Sequence, residues 1–315
     1  MTTASAGPAA TSVAPAPAIT ADAADRRVAG HRARRRGGLA WLGLTPFAAY
    51  VLLFLAVPAV IAVGSGFFDG SGGFTLANLA AFADPSVIRA FVGSFGLSAV
   101  SAVVGAVVGA IVCWALAALR PDGLVRSMID SAASVLAQFG GVMLAFAFIA
   151  TIGAQGLVTA WLVSAFHVDL NANGTFLYTV PGLVIPYVYF QVPLMVLTFM
   201  PALEGVKTQW GEAAATLGAS RLTYWRRIGL PVLAPAFWGS LLLLFANGFS
   251  SFATAAALIS QGGIVPLTIR TQLTSETIIG LQNVAGVLAF GMVVVMAVVM
   301  SGYALLQRRA ARWQR

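Results

Sequence analysis

Long blocks of mostly apolar residues recur along the chain, parted by short intervals that collect its Gly, Pro and charged residues. The blocks fall near 42–65, 90–118, 129–152, 177–200, 232–259 and 282–306. Each is long enough, at about 1.5 Å per helical residue, to cross a hydrocarbon core of about 30 Å, and the second is long enough to tilt or to project from it. The pattern therefore predicts an all-α, polytopic membrane protein with six transmembrane helices. A shorter apolar piece, Leu157–Phe166, is bounded by Gly156 and His167. We read it as an interfacial helix between spans three and four, with a seventh span as the alternative.

Residues 1 to about 25 hold Ala, Pro, Thr and Ser with almost no large apolar side chain, a composition that cannot bury enough surface to offset the entropy of ordering. The expected organisation is a disordered, basic cytoplasmic tail over 1–38, a first span and external loop over 39–89, a core over 90–307 and a second basic cytoplasmic tail over 308–315. The apolar run after the N-terminal arginines is too long for the core of a signal peptide, so it reads as an uncleaved first span.

The longest moderately polar interval between the blocks is 202–231, and its residues have local structural meaning. Glu212-Ala213-Ala214-Ala215-Thr216-Leu217 is a strong helix former, Gly218 can take the left-handed conformation that ends a helix, and Ser220 can cap the next one. The reading is a short helix, a tight turn, a second short helix and a stop at Pro231 before the fifth span.

In this interval the sequence resembles the permease subunits of binding-protein-dependent ATP-binding cassette importers. Their cytoplasmic loop has the spacing Glu-Ala-Ala, three residues, Gly, nine residues, Ile, one residue, Leu-Pro, and Glu212, Ala213, Ala214, Gly218, Ile228, Leu230 and Pro231 meet every fixed position. The resemblance implies that this helical pair couples the permease to a separate ATPase. It also implies cytoplasmic ATP-binding subunits, a second permease subunit and an external solute-binding protein as partners, and no catalytic role for this chain. ATP would be bound by the partner, so no cofactor is expected here.

Composition supports the bilayer: 59% of the 315 residues are hydrophobic and 9% are charged, against about a quarter charged in soluble domains. The net charge of +8 raises the question of nucleic acid, and its distribution answers it. Six Arg precede the first span (Arg26, Arg27, Arg32, Arg34, Arg35, Arg36). Arg120 and Arg126 follow the second, Lys207, Arg221, Arg226 and Arg227 lie in 202–231, and Arg308, Arg309, Arg312 and Arg315 close the chain. Of the 18 Lys and Arg, only Arg89 and Arg270 fall on the other side. This asymmetry follows the positive-inside rule and places both termini and the 202–231 loop in the cytoplasm of a bacterial cell. No soluble basic domain is left over to read nucleic acid. Of the external segments, Asp84, Arg270 and Glu276 are the best candidates for charge complementarity with a partner.

The chemistry is that of a passage rather than a reaction. The sequence has no G-x-x-x-x-G-K-[ST] phosphate loop and no paired Cys or H-E-x-x-H metal spacing, and its single cysteine, Cys113, lies in an apolar run. The predicted spans hold no ionisable residue near a midplane, where each would cost about 2.5–3.5 kcal/mol. An ion-coupled secondary transporter is the rival reading; it could use hydroxyls and carbonyls for sodium, but it leaves the 202–231 motif without a purpose. The polar groups that remain are neutral. Gln138 in span three, Tyr189 and Gln191 in span four, and Asn247 and Ser251 in span five are the candidate lining of a translocation path. Hydrogen bonding between helices is the competing role for each. Such a path suits a small polar solute, and the run Gln138–Phe148 with Gly156-Leu157-Val158-Thr159 is similar to permeases of the polyamine, iron and aminophosphonate group.

Overall fold

Prolines and glycines decide where these helices depart from regular geometry. The computed structural model describes residues 43–120, 122–167, 175–259, 262–274 and 281–313; the N-terminal tail expected over 1–38 lies outside the described residues. Among the described residues, six helical stretches are long and apolar enough to cross a membrane. They are Gly43–Phe67 (α1), Pro85–Ala117 (α2), Gly141–Phe166, Pro181–Glu204 (α6), Arg221–Ser250 (α8) and Asn283–Arg308, the last inside the longer helix Leu281–Trp313 (α11). Among the described residues four shorter α-helices, Leu124–Gln138 (α3), Thr208–Thr216 (α7), Ala253–Leu258 (α9) and Val265–Thr274 (α10), and short 3-10 turns such as Ala77–Ala83 lie between them.

The third span differs from the expected 129–152. Helix α3 stops at Gln138, Gly140 is extended, and Gly141 has φ +71°, a conformation open to glycine at little strain. A new helix, Gly141–Ile152 (α4), then begins and is followed after a turn by Leu157–Phe166 (α5). By length and composition the spanning stretch is Gly141–Phe166. The segment 157–166, expected as an interfacial helix, is thus the second half of span three, and α3 is an amphipathic helix that leads into it. Hydropathy averaged over a window cannot register a break made by two glycines.

The fifth span also differs. Pro231 does not stop a helix; the chain stays helical from Arg221 through Pro231 and Pro235 to Ser250. What yields is the helix pitch. Trp225–Gly229 forms a π-helical turn in which the Leu230 N–H donates to the Trp225 carbonyl. The same device precedes Pro58 in α1, where Leu52–Ala56 is π-helical and the Val57 N–H donates to the Leu52 carbonyl. In both helices the widened turn ends two residues before the proline. Proline has no N–H for the carbonyl four residues back and its ring crowds that carbonyl, so widening the preceding turn preserves the helix direction. Span five therefore ends at Ser250 rather than 259, with α9 as a separate turn of helix.

By packing, the residues up to Ile61 form one unit and those from Ala62 onward another. In the second, α2 runs along α6, and the Gly105 and Gly109 pair permits it. A Cβ at Gly105 would lie 2.6 Å from the Gln191 Cβ, and one at Gly109 2.5 Å from the Met195 Cβ. The spacing is a packing motif between these two helices. Of the three apolar cores among the described residues, one gathers Val87, Ala90, Val265 and Leu288 from α2, α10 and α11, and two lie along this scaffold. Of these two, one gathers Leu144, Tyr187, Leu258 and Ile264 from α4, the start of α6, α9 and the approach to α10. The other gathers Ala106, Met195, Phe199, Leu233 and Leu244 from α2, the later part of α6 and α8. The breaks at 139–140 and 251–252 fall between them.

Candidate functional site

Within 202–231 the local readings hold in detail up to Pro231. Helix α7 ends in a Schellman arrangement: Gly218 sits at φ +77°, its N–H donates to the Ala215 carbonyl at 2.9 Å, and the Ala219 N–H donates to the Ala214 carbonyl at 2.9 Å. Ser220 caps the next helix, its Oγ accepting from the Thr223 N–H at 3.2 Å. The elbow is small and fixed, and its outer surface is apolar. Leu217 at the turn is 88% exposed and Leu222 is 67% exposed. Glu212, Ala213, Gly218, Ile228, Leu230 and Pro231 are also exposed, whereas Ala214 and Tyr224 are buried and hold α7 against α8. Between the two helices is a groove of about 610 Å³ with Trp210, Ala214, Tyr224 and Arg227 among its walls. An exposed apolar knob beside a groove offers a surface on which another protein can dock.

The second feature is the pairing of the two helix breaks. Thr254, fully buried at the first turn of α9, accepts the Gly141 N–H on its Oγ1 at 2.9 Å and donates to the Gly141 carbonyl at 3.2 Å. The Tyr187 hydroxyl donates to the Ser251 carbonyl at 2.9 Å, pinning the other break to α6. Interruptions in two spans are thus joined by one side chain and braced by a third helix. Irregular backbone at membrane depth persists only where protein or a water-filled cavity satisfies its polar groups, and here a threonine and a tyrosine supply part of that.

The five path candidates separate by surroundings. Gln138 is the last residue of α3, exposed and beside the break. Tyr189 is half-buried and meets Phe139 in the break at 6.5 Å and Phe148 of α4 at 5.9 Å, ring to ring. Ser251 forms the other break. These three lie at or next to the paired interruptions. Gln191 is buried between α2 and α8, its Nε2 donating to the Ser101 Oγ at 3.3 Å, with Gly248 providing the space. Asn247 is exposed on α8, and Ser240, seven residues earlier on the same helix, is buried.

Sequence reasoning missed an ion pair that joins α3 to α6. Arg126 is 6% exposed, bonds through its guanidinium to the Glu204 carboxylate at the end of α6, and lies 3.5 Å from Asp130 one turn along α3. No local signal marks a partner 78 positions away. Of the charged candidates for an outside partner, Asp84 is engaged as the N-cap of α2, accepting from the Ser86 N–H at 2.7 Å. The Ser86 hydroxyl and amide hold its carboxyl below the ordinary value. Arg270 is exposed on α10, and Glu276 lies outside the described residues. Among the described residues no cluster of three or more His, Cys, Asp or Glu could hold a metal ion.

Residues 154–312 match the family described as "Binding-protein-dependent transport system inner membrane component". The sulfate transport system permease protein CysT of Salmonella typhimurium is 27% identical over 194 residues, 61% of this chain and 64% of that protein. The trehalose transport system permease protein SugB of Mycobacterium tuberculosis is 23% identical over 227 residues, 70% of this chain and 72% of that one. The chain thus spans somewhat less than two thirds of the length of the CysT proteins it matches. The fold is shared with a bacterial ABC transporter that imports the acidic polysaccharide alginate, at a TM-score of 0.66 and 16% identity over 88% of this chain and 98% of that one.

Proposed function

Since the chain belongs to the family of binding-protein-dependent transport system inner membrane components, we propose that it forms one half of the translocation path of an ATP-driven importer and couples that path to a separate ATPase. A permease subunit is not an enzyme, and hydrolysis falls to cytoplasmic ATP-binding subunits. A second permease subunit and an external solute-binding protein complete the assembly in the bacterial cytoplasmic membrane, with both termini on the cytoplasmic side as the arginine distribution favours. One observation carries the reading. The apolar elbow at Gly218 and the break at Ser251 are the two ends of a single continuous helix, α8. A displacement of the elbow by an ATPase closing on ATP is delivered as a rigid movement at the break. Glu212, Ala213, Ala214, Gly218, Ile228, Leu230 and Pro231 make up the coupling element; Gln138, Tyr189 and Ser251 are the better path residues, and Gln191 and Asn247 the weaker.

For the solute we favour a small oxyanion of the sulfate kind. Several similar permeases are named for sulfate, and the only carboxylate within the six described spans is Glu204, the last residue of α6. A polycation would need carboxylates on its way. The oxyanion reading keeps aminophosphonates among the candidates and sets polyamines and iron behind them. The test is reconstitution in proteoliposomes with the ATPase subunits, second permease and binding protein, measuring uptake of radiolabelled sulfate, with trehalose and spermidine alongside. Uptake that needs ATP and the binding protein is expected; robust uptake by this chain without any ATPase subunit overturns the reading.

A further inference from the structure

The elbow reaches the paired breaks by a second route that does not run along the backbone of α8. Glu204 is the last residue of α6, and Lys207, the N-cap of α7, follows three residues later. Whatever moves α7 therefore moves the Glu204 carboxylate with little slack. That carboxylate is bonded to Arg126, and Arg126 lies in the first turn of α3, whose other end is Gln138 and the 139–140 break. Beyond the break, Gly141 is clipped to Thr254 of α9. The coupling segment thus holds both broken spans. It holds the fifth covalently through α8, and the third through α3, which lies on α6 by the apolar contact of Ala133 and Ile129 with Phe199, Met200 and Leu203 and by one charged link, the Arg126 guanidinium.

On this geometry we propose that Arg126 is a positioning residue that carries displacement of the coupling segment to the third span, so that the two breaks move together. The inference rests on the permease reading above. Three features single out this residue. Arg126 is buried although α3 is otherwise amphipathic and largely uncovered, and a buried guanidinium is retained only where partners satisfy it. Its two partners are unequal in reach: Asp130 is on α3 itself and can only steady the side chain, whereas Glu204 is on α6 and ties two helices. Among the described residues these are the only ion pairs, so no other charged link joins α3 to the coupling segment. An arginine suits the task, since its planar guanidinium directs Nη2 to Glu204 and Nε toward Asp130 at once, an arrangement that the single ammonium of a lysine does not reproduce.

The experiment uses the whole complex in nanodiscs. Spin labels go on cysteines at Met128 of α3 and Met143 of α4, both uncovered side chains on either side of the break; the native Cys113 is buried and takes no label. The distance between labels is measured without nucleotide and after trapping with ATP and vanadate. We expect trapping to change the distance in the wild-type complex. Glu204→Gln and Arg126→Met lose most of the change while ATP hydrolysis continues, Arg126→Lys recovers part of it, and Asp130→Asn leaves it in place. Glu204→Gln carries the test by itself should Arg126→Met fail to assemble. Equal behaviour of Glu204→Gln and Asp130→Asn, or a wild-type distance unmoved by trapping in a complex that hydrolyses ATP, overturns the link and leaves the permease reading standing. A wild-type chain that does not assemble with its ATPase subunits removes the permease reading itself.

Discussion

Thr254 and Gly141 stand 113 positions apart and exchange two hydrogen bonds, the threonine hydroxyl accepting the glycine N–H and donating to the glycine carbonyl. One side chain thereby satisfies both backbone groups of a residue at which a membrane-spanning helix has just begun. This is the contact by which the interruption in span three is fastened to the one in span five.

Replacing Thr254 by Val keeps the shape and removes the hydroxyl, leaving the Gly141 N–H and carbonyl without it. An average hydrogen bond inside a membrane protein is worth about 0.6 kcal/mol, whereas a buried polar group left without a partner costs about 1–3 kcal/mol. The groups left without it belong to Gly141, which is half-buried, so the cost falls between the two figures. Thr254→Val is expected to lower the thermal midpoint of the detergent-solubilised protein, and Thr254→Ser to remain near wild type. A Val variant as stable as Ser would show that the clip contributes nothing.

The elbow tolerates little at Gly218. A residue with a Cβ at φ +77° pays about 1–2 kcal/mol for the left-handed conformation, and Asn is the side chain that bears it best. No atom lies within 4 Å of the Cβ position, so the penalty is conformational and not steric. Gly218→Val should weaken co-purification of the ATPase subunits and reduce ATP-driven uptake, Gly218→Asn much less. Glu212→Lys should reduce both through reversed charge on an exposed face, with the fold intact by circular dichroism. Assembly and uptake unchanged in Gly218→Val and Glu212→Lys would remove this segment as the coupling element.

What was legible in the sequence was what neighbours in the chain decide. The Gly218 turn and the Ser220 cap are made by residues within five positions of each other, and a motif with fixed spacing reports such contacts faithfully. Pro231 was misread because a proline's effect depends on whether the turn before it can widen, and Trp225–Gly229 does. Gly140 and Gly141 were visible as a pair, yet an apolar average passes over them; only φ shows the break. Gln191, a large amide in an apolar helix, is marked by the sequence only as a group that needs a partner. Its packing between Ser101 and Gly248 depends on where α2 and α8 cross α6, which no spacing along α6 contains.

The contact of α2 with α6 gives a contrast between glycines. At Gly105 and Gly109 a Cβ would fall 2.6 Å and 2.5 Å from side-chain carbons of Gln191 and Met195, while at Gly96, on the same helix, nothing lies within 4 Å. Gly109→Leu should therefore sharply reduce the yield of folded protein from membranes, and Gly96→Ala should leave it unchanged. Size-exclusion profiles of fluorescently tagged variants make the comparison. Equal yields from Gly109→Leu and wild type would mean that the two helices separate easily.

The segment after α1 carries a pH dependence whose sign is fixed by its bonds. Asp69 Oδ1 accepts the Ser71 hydroxyl at 2.6 Å, the Gly73 N–H at 2.7 Å and the Ser71 N–H at 2.9 Å. These donors, the Ser71 hydroxyl foremost, stabilise the carboxylate and hold its pKa below the ordinary 3.8. A carboxyl whose folded pKa is depressed favours the folded arrangement at any pH above the unfolded value and loses that contribution as pH falls through the folded one. The turn should accordingly be insensitive to pH from neutrality down to about 4 and loosen only below it. Because Asp69 is fully exposed, water screens the effect and it should be confined to the turn. Asp69→Asn, which cannot be protonated and accepts more weakly, should show faster amide hydrogen exchange at Ser71 and Gly73 than wild type at pH 7 and approach it at pH 3. A wild-type turn that loosens between pH 7 and 5 would mean that some group other than this carboxylate controls it.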